Sequence, residues 1–471
     1  MEDAYKNPSC LPHDHSMSGD GPIRSWQLLA LLSLALSLVF ESAQYIIPLG
    51  SDTILLYVSY PSALVVFAML VYTSRYTKYW EIRFMFGFIA WMCLSVVLNH
   101  SRAHITESYV WFCSTCVTMF LCFSFPYAFS KKSLLRVFKI LAITTVVSVT
   151  FLSIIGLLAA FFHTITTLAP GLFSGFGFFN GRLSFDDHPN RSAPFCALAI
   201  VLTTILFMQT KKKLFRVLLV VCGIMCFVAL ALTDSRTGII SMCVAVGLEV
   251  FLISNAKLKK WKAITRIVVC SVLMGFAVWG LYKGSELVRS GYNAIYSDEI
   301  AAQAVSSRDL SDIGTLNGRT EIWKNVLQGL KENPRIIALG TGPAVASEVM
   351  SPYFPEDSPI GIFHNSLLGV LVSFGAFGLL LTIIFLGIIA TASIKLSFLD
   401  LKNETTLIIR MVPAILIFAI IESVFEDFLF ANSGLNITYL WFMFSAGFVL
   451  RNLKLESDIA QNCTAPLSSA K

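Results

Sequence analysis

Two arginines and a histidine, Arg236, Arg319 and His364, are the residues with which this chain could do chemistry on an anion. A guanidinium presents paired donors that match phosphate or carboxylate oxygens, and it stays charged at any physiological pH. Histidine is the side chain best suited to general-base work near neutrality, since its unperturbed pKa is about 6.5. Arg236 sits in the turn Leu232-Thr233-Asp234-Ser235-Arg236-Thr237-Gly238, where one apolar stretch gives way to the next with almost no loop. A cation placed there serves a ligand, pairs with Asp234, or snorkels at a helix start. From Asn317 to Leu330, the residues Ile322, Trp323, Val326, Leu327 and Leu330 recur at helical spacing, with Asn317 as a cap and Pro334 just beyond the end. This pattern predicts an amphipathic helix lying on the membrane surface with its apolar stripe inward. Arg319 falls in its first turn, off the stripe. A cation at a helix N-terminus is unfavourable, so an anion is expected beside Arg319, where free N–H groups already favour negative charge. His364 stands in Phe363-His364-Asn365-Ser366, where the chain re-enters apolar sequence.

The elements that must position these residues are long apolar stretches. With 56% hydrophobic and only 14% charged residues, the chain is an integral membrane protein. A helix needs about 20 apolar residues to cross a bilayer. Twelve spans are expected, at roughly 26–44, 53–73, 84–99, 109–129, 135–162, 193–209, 214–233, 237–254, 264–282, 366–390, 406–422 and 436–452. The fold class is thus all-α and polytopic, with a long helical extracytoplasmic loop, 283–365, between spans nine and ten. The connecting segments alternate between rich and poor in Lys and Arg, with 24 of the 35 on one side. Lys and Arg beside a span are retained in the cytoplasm, which puts both termini there and the segments bearing Arg236, Arg319 and His364 outside. Residues 1–25 and 453–471 read as cytoplasmic tails, the first of them disordered, around a transmembrane domain of residues 26–452.

The net charge of +6 lies mostly in short loops that set orientation, and no basic stripe interleaved with aromatics marks nucleic acid as a partner. Nine of the eleven cysteines fall in apolar stretches, where they pack as small hydrophobes, Cys113 and Cys116 included. Asp186-Asp187-His188 reads as a metal cluster or as a solvated turn, and Cys10, His13 and His15 as part of the tail. No metal and no cofactor is expected.

Four elements together resemble the bacterial O-antigen ligase superfamily, which includes O-antigen ligases, O-antigen and capsule polymerases and protein O-oligosaccharyltransferases. They are Gly181-Arg182-Leu183 followed by Pro189-Asn190; Thr233-x-Ser235-Arg236; Gly318-Arg319 with Ile322-Trp323, Asn333-Pro334 and Gly340-x-Gly342; and His364-Asn365 followed by Gly375 and Gly378. The resemblance implies a membrane glycosyltransferase of the bacterial cytoplasmic (inner) membrane. Its donor would be a glycan linked to polyprenyl diphosphate, and its acceptor a second glycan or a lipid-core sugar. It implies Arg236 and Arg319 as diphosphate-binding residues and His364 as the base for the acceptor hydroxyl, in an inverting, metal-independent reaction. Arg182, Asn190, Arg191, Ser235 and Asn365 are candidate donor or acceptor contacts. A chain-length regulator or a flippase are candidate protein partners. Ligases often carry further histidines just before the one matching His364, whereas this chain has Gly361-Ile362-Phe363, which leans towards a polysaccharide polymerase. The alternative from another class is a twelve-span secondary transporter. Such proteins are commonly built from two related halves with midplane sites, and no internal repeat is visible here.

Overall fold

The computed structural model of the chain describes residues 25–43, 79–99, 106, 109, 119, 122–129, 131–161, 176–179, 182–185, 189–258, 260–295, 319–343, 345–354, 363–398, 405–427, 429 and 437–464. Outside them lie the expected span 53–73, most of 109–129, the first tail, Asp186–His188, the Cys113/Cys116 pair and the proposed cap Asn317. Thirteen helices are described: α1 Ser25–Ala43, α2 Trp80–Leu98, α3 Lys131–Phe161, α4 Pro189–Gln209, α5 Lys213–Thr233, α6 Arg236–Lys257, α7 Ala263–Ile295, α8 Arg319–Glu332, α9 Pro334–Leu339, α10 Ala346–Met350, α11 Ser366–Phe398, α12 Thr405–Phe425 and α13 Ile437–Thr464. Seven of them, α2 to α7 and α11, are long and apolar enough to cross a membrane. The chain is a helical, polytopic membrane protein.

A small hairpin interrupts the helices. Strands β1 (Gly177–Phe179) and β2 (Arg182–Ser184) pair antiparallel, with Phe179 opposite Arg182.

Helix α6 lies at the centre, packed on α4, α7 and α12, and α12 in turn packs on α11 and α13. Buried rings join α3 to α13, where Trp441 packs edge-on to Phe138 and Phe444. By contrast α7 turns most of its apolar side chains outward, among them Phe276 and Trp279, as a lipid-facing helix would.

Below the site end of the bundle, α11 breaks at Gly375, which takes φ 71° and ψ −177°. Gly340, after α9, takes φ 75° and ψ −174°, and the two extended stretches cross. Thr341 N–H donates to Val372 O at 2.8 Å and Gly342 N–H to Ser373 O at 3.0 Å. Helix α2 serves the other orphan carbonyls: Trp91 Nε1 donates to Phe374 O at 2.9 Å, and Ser95 Oγ reaches Leu339 O at 2.8 Å. Broken backbone at membrane depth must be satisfied by protein in this way. Only glycine fits either position. A Cβ at Gly375 would lie 2.6 Å from Ala338 O, and one at Gly340 would overlap Ser373 O.

Helix α8 forms as expected, beginning at Arg319, but part of its stripe meets protein, while Leu327 stays exposed. Val326 and Leu330 pack with Ile336, Met350, Phe363 and Val372 of the neighbouring α9, α10 and α11 regions. The crossing supplies this apolar bed, which the surface-helix expectation did not include.

Candidate active site

Several helix ends meet at one end of the bundle. Asp234 closes α5 in the left-handed conformation, with φ 50°. Ser235 caps α6, its hydroxyl accepting from Gly238 N–H. That αL-then-cap sequence reverses the chain in two residues and sets Arg236 and Thr237 in the first turn of α6. Asp234 pairs with Arg289 of α7, so the alternative Asp234–Arg236 pair is not what this turn contains. Arg236 is half-buried, close enough to Tyr282 of α7 to act on it electrostatically.

Across the site end, His364 precedes α11 with φ 50°, a left-handed conformation that is uncommon for a residue with a Cβ. Asn365 caps α11: its Oδ1 accepts from Leu367 N–H at 2.9 Å and Leu368 N–H at 3.1 Å. Trp323 of α8 donates to Phe363 O at 3.1 Å, and Phe363 N–H donates to Asp427 Oδ2 at 3.0 Å. Phe363, next to His364, is thereby tied through both its carbonyl and its N–H.

The residue that joins these parts is Glu426, one position beyond α12. Its Oε1 accepts from Arg319 Nη2 and, at 3.1 Å, from Asn190 Nδ2. Its Oε2 lies 2.8 Å from His364 Nδ1. Arg319 also donates through Nη1 to Thr237 Oγ1 at 3.2 Å, so α8 is fastened to both α6 and α12. Asn190 Oδ1 accepts from Arg182 Nη2 at 2.7 Å, while Arg182 Nε donates to Thr233 O at 2.8 Å. One network thus runs from β2 through α4 to α12, α8 and α11. The backbone of Glu426 is fixed too, since Ser366 Oγ donates to its carbonyl at 2.9 Å.

Of the residues singled out from sequence, the network brings together Arg182, Asn190, Arg319 and His364. Arg236 adjoins it through Thr237, Ser235 and Asn365 act as helix caps, and Arg191 lies exposed on the first turn of α4. Arg319 is buried. The carboxylate beside its guanidinium is the chain's own Glu426. No group of three or more metal-ligating side chains forms among the described residues.

Sequence reasoning passed over Glu422, Glu426, Asp427 and Thr237. Glu422 lies one turn below Glu426, wholly buried, and bonds with Ser241 of α6. Burial pushes the Asp427 carboxyl up to about 6, against the pull of His364, which lowers it. The signal was there: three carboxylates in six residues at a span end are rare in a chain this poor in charge, and acidic residues in or beside a span are costly without a task.

The class is therefore that of a polytopic membrane protein with a built polar network at one end of its helical bundle. Residues 221–383 match the O-antigen ligase family, so that stretch of the chain is similar to that family. The match takes in Arg236, Arg319 and His364; Arg182, Asn190 and Glu426 lie outside it. No curated protein matches the chain. Together with the apolar helices, the match supports a membrane enzyme acting on glycans.

Proposed function

We propose that the chain transfers an oligo- or polysaccharide from a polyprenyl diphosphate carrier to an acceptor hydroxyl at the outer face of the bacterial cytoplasmic membrane. The observation that carries this reading is the meeting of Arg319 and His364 on one carboxylate, beside the turn that holds Arg236. A cation for a departing diphosphate and a base for an entering hydroxyl then share a single framework of helix ends.

The acceptor oxygen attacks the anomeric carbon, and its proton passes to the free ring nitrogen of His364. The bond from that carbon to the diphosphate oxygen breaks, and its electron pair leaves with the polyprenyl diphosphate. One displacement inverts the anomeric centre. Departure is limited by the charge that builds on the leaving group, which guanidinium groups neutralise and orient. Arg236 supplies such donors from the start of α6, and Arg319 has spent two of its five N–H donors on Thr237 and Glu426. This division of labour needs no metal. The absence of histidines just before His364 favours a second lipid-linked glycan as acceptor, hence a polymerase.

The test is glycan transfer by purified protein reconstituted with a polyprenyl-diphosphate-linked repeat unit. Extended glycan and free polyprenyl diphosphate should appear together, and the rate should rise with pH to a plateau as the base loses its proton. His364→Ala should bind donor yet transfer at least about a hundredfold more slowly. A wild-type rate in that variant would sink the reading.

A further inference from the structure

We infer that Glu426 is a positioning residue that makes His364 a base: its carboxylate holds the proton on Nδ1 and so leaves Nε2 bare towards the acceptor hydroxyl. The inference rests on the reading of His364 as base, and adds a residue outside the stretch that matches the family.

The geometry leaves little choice of tautomer. A carboxylate flanked by a guanidinium is an acceptor only, so the 2.8 Å contact between Glu426 Oε2 and His364 Nδ1 places the hydrogen on Nδ1. Nε2 makes no hydrogen bond to the described residues, and the His364 side chain keeps 24% of its surface open. The other carboxylate oxygen is held by Arg319 and Asn190, which stops Glu426 from swinging away. His364 has adopted a left-handed backbone to present its ring there. Such strain persists only where surrounding contacts over-determine it.

During transfer the imidazole gains the acceptor's proton on Nε2, and the adjacent carboxylate offsets the positive charge that appears. Among the described residues, the charged and titratable groups that act on this cluster are Arg319 from α8, Glu422 from α12 and Asp427 just after it. Replacing Glu426 by glutamine removes one negative charge and leaves Arg319 nearer in effect to the ring. Both changes disfavour the imidazolium, so the acid limb of the rate profile should move to lower pH.

Two measurements test this. The first needs no variant at Glu426. In protein with ¹⁵N-labelled histidine, the His364 ring, assigned by its loss in His364→Ala, should show hydrogen on Nδ1 and none on Nε2 on the alkaline side of the profile. Hydrogen on Nε2 would overturn the inference, even if Glu426→Gln failed to fold. The second is Glu426→Gln: kcat should fall at least about tenfold with the donor KM little changed, and the acid limb should shift down. An unaltered limb with a lower yield of folded protein would make Glu426 merely structural. If His364→Ala transfers glycan normally, the underlying reading fails. If that variant is inactive but His364 carries its proton on Nε2, the inference alone fails.

Discussion

Regular helix is broken in two places near each other, and the two breaks gather different kinds of group. At the Gly340–Gly375 crossing, the carbonyls of Leu339, Val372, Ser373 and Phe374 find neutral donors: two backbone N–H groups, the Ser95 hydroxyl and the Trp91 indole. At the helix ends around Glu426 the caps are also neutral, Ser235, Asn365 and Ser366, but the side chains that meet beyond them include the charged Arg319 and Glu426 beside the His364 ring. Neutral backbone pairs cannot be exchanged for a ligand without leaving a buried group unpaired, so the crossing has one arrangement. Ionic side chains with donors to spare can share their partners with an incoming anion. The molecule keeps its fixed geometry in the first kind of break and its reactive groups in the second.

The sharpest way to break this comparison is Gly340→Ala. The added methyl overlaps Ser373 O and the backbone is strained at φ 75°, so almost no folded protein should be recovered from membranes. Monodisperse, active protein on gel filtration would show that the crossing yields. Next in size is Arg236→Lys. It keeps the charge but loses the paired donors, and transfer should drop about ten- to a hundredfold while folding is unaffected. Combined with Arg319→Lys, the loss should be smaller than the sum of the two, since groups acting on one anion are not additive. Full additivity would separate their roles.

The smallest effect concerns Asp427. Its folded pKa is raised to about 6 by burial, above the roughly 3.9 of an unfolded aspartate. The fold therefore prefers the protonated form. The stability tied to this group is fully present below about pH 4 and lost as pH rises through about 6. Thermal midpoints of Asp427→Asn should lack that decline between pH 4 and 6. Identical pH slopes in the two proteins would refute it.

Much of the frame was legible because spanning helices announce themselves by apolar length alone. The turn at Asp234–Ser235 was legible as a place where Arg236 must sit, though not as a left-handed cap. The motif glycines Gly340 and Gly375 could be seen, but their reason could not, since it lies in a crossing between segments far apart in the chain. Glu426 was missed for the same cause. It meets His364 and Arg319 across 62 and 107 residues, and pairing over such separations leaves no local pattern. The Phe178–Leu183 pairing is a different case: Asn180-Gly181 is a short-range hairpin signal in the sequence, and the expectation of an all-α fold makes no use of it.

The break in α11 has a mechanical consequence. The part from Ala376 to Phe398 is about 34 Å long at roughly 1.5 Å per residue, enough to cross the hydrocarbon layer by itself. A continuous helix would carry any tilt of that rod straight to its tip. Here Gly375 acts as a joint, and the short lever above it is clamped by Trp91 and Ser95. A tilt of the rod as bilayer thickness varies therefore reaches the imidazole only through that clamped crossing.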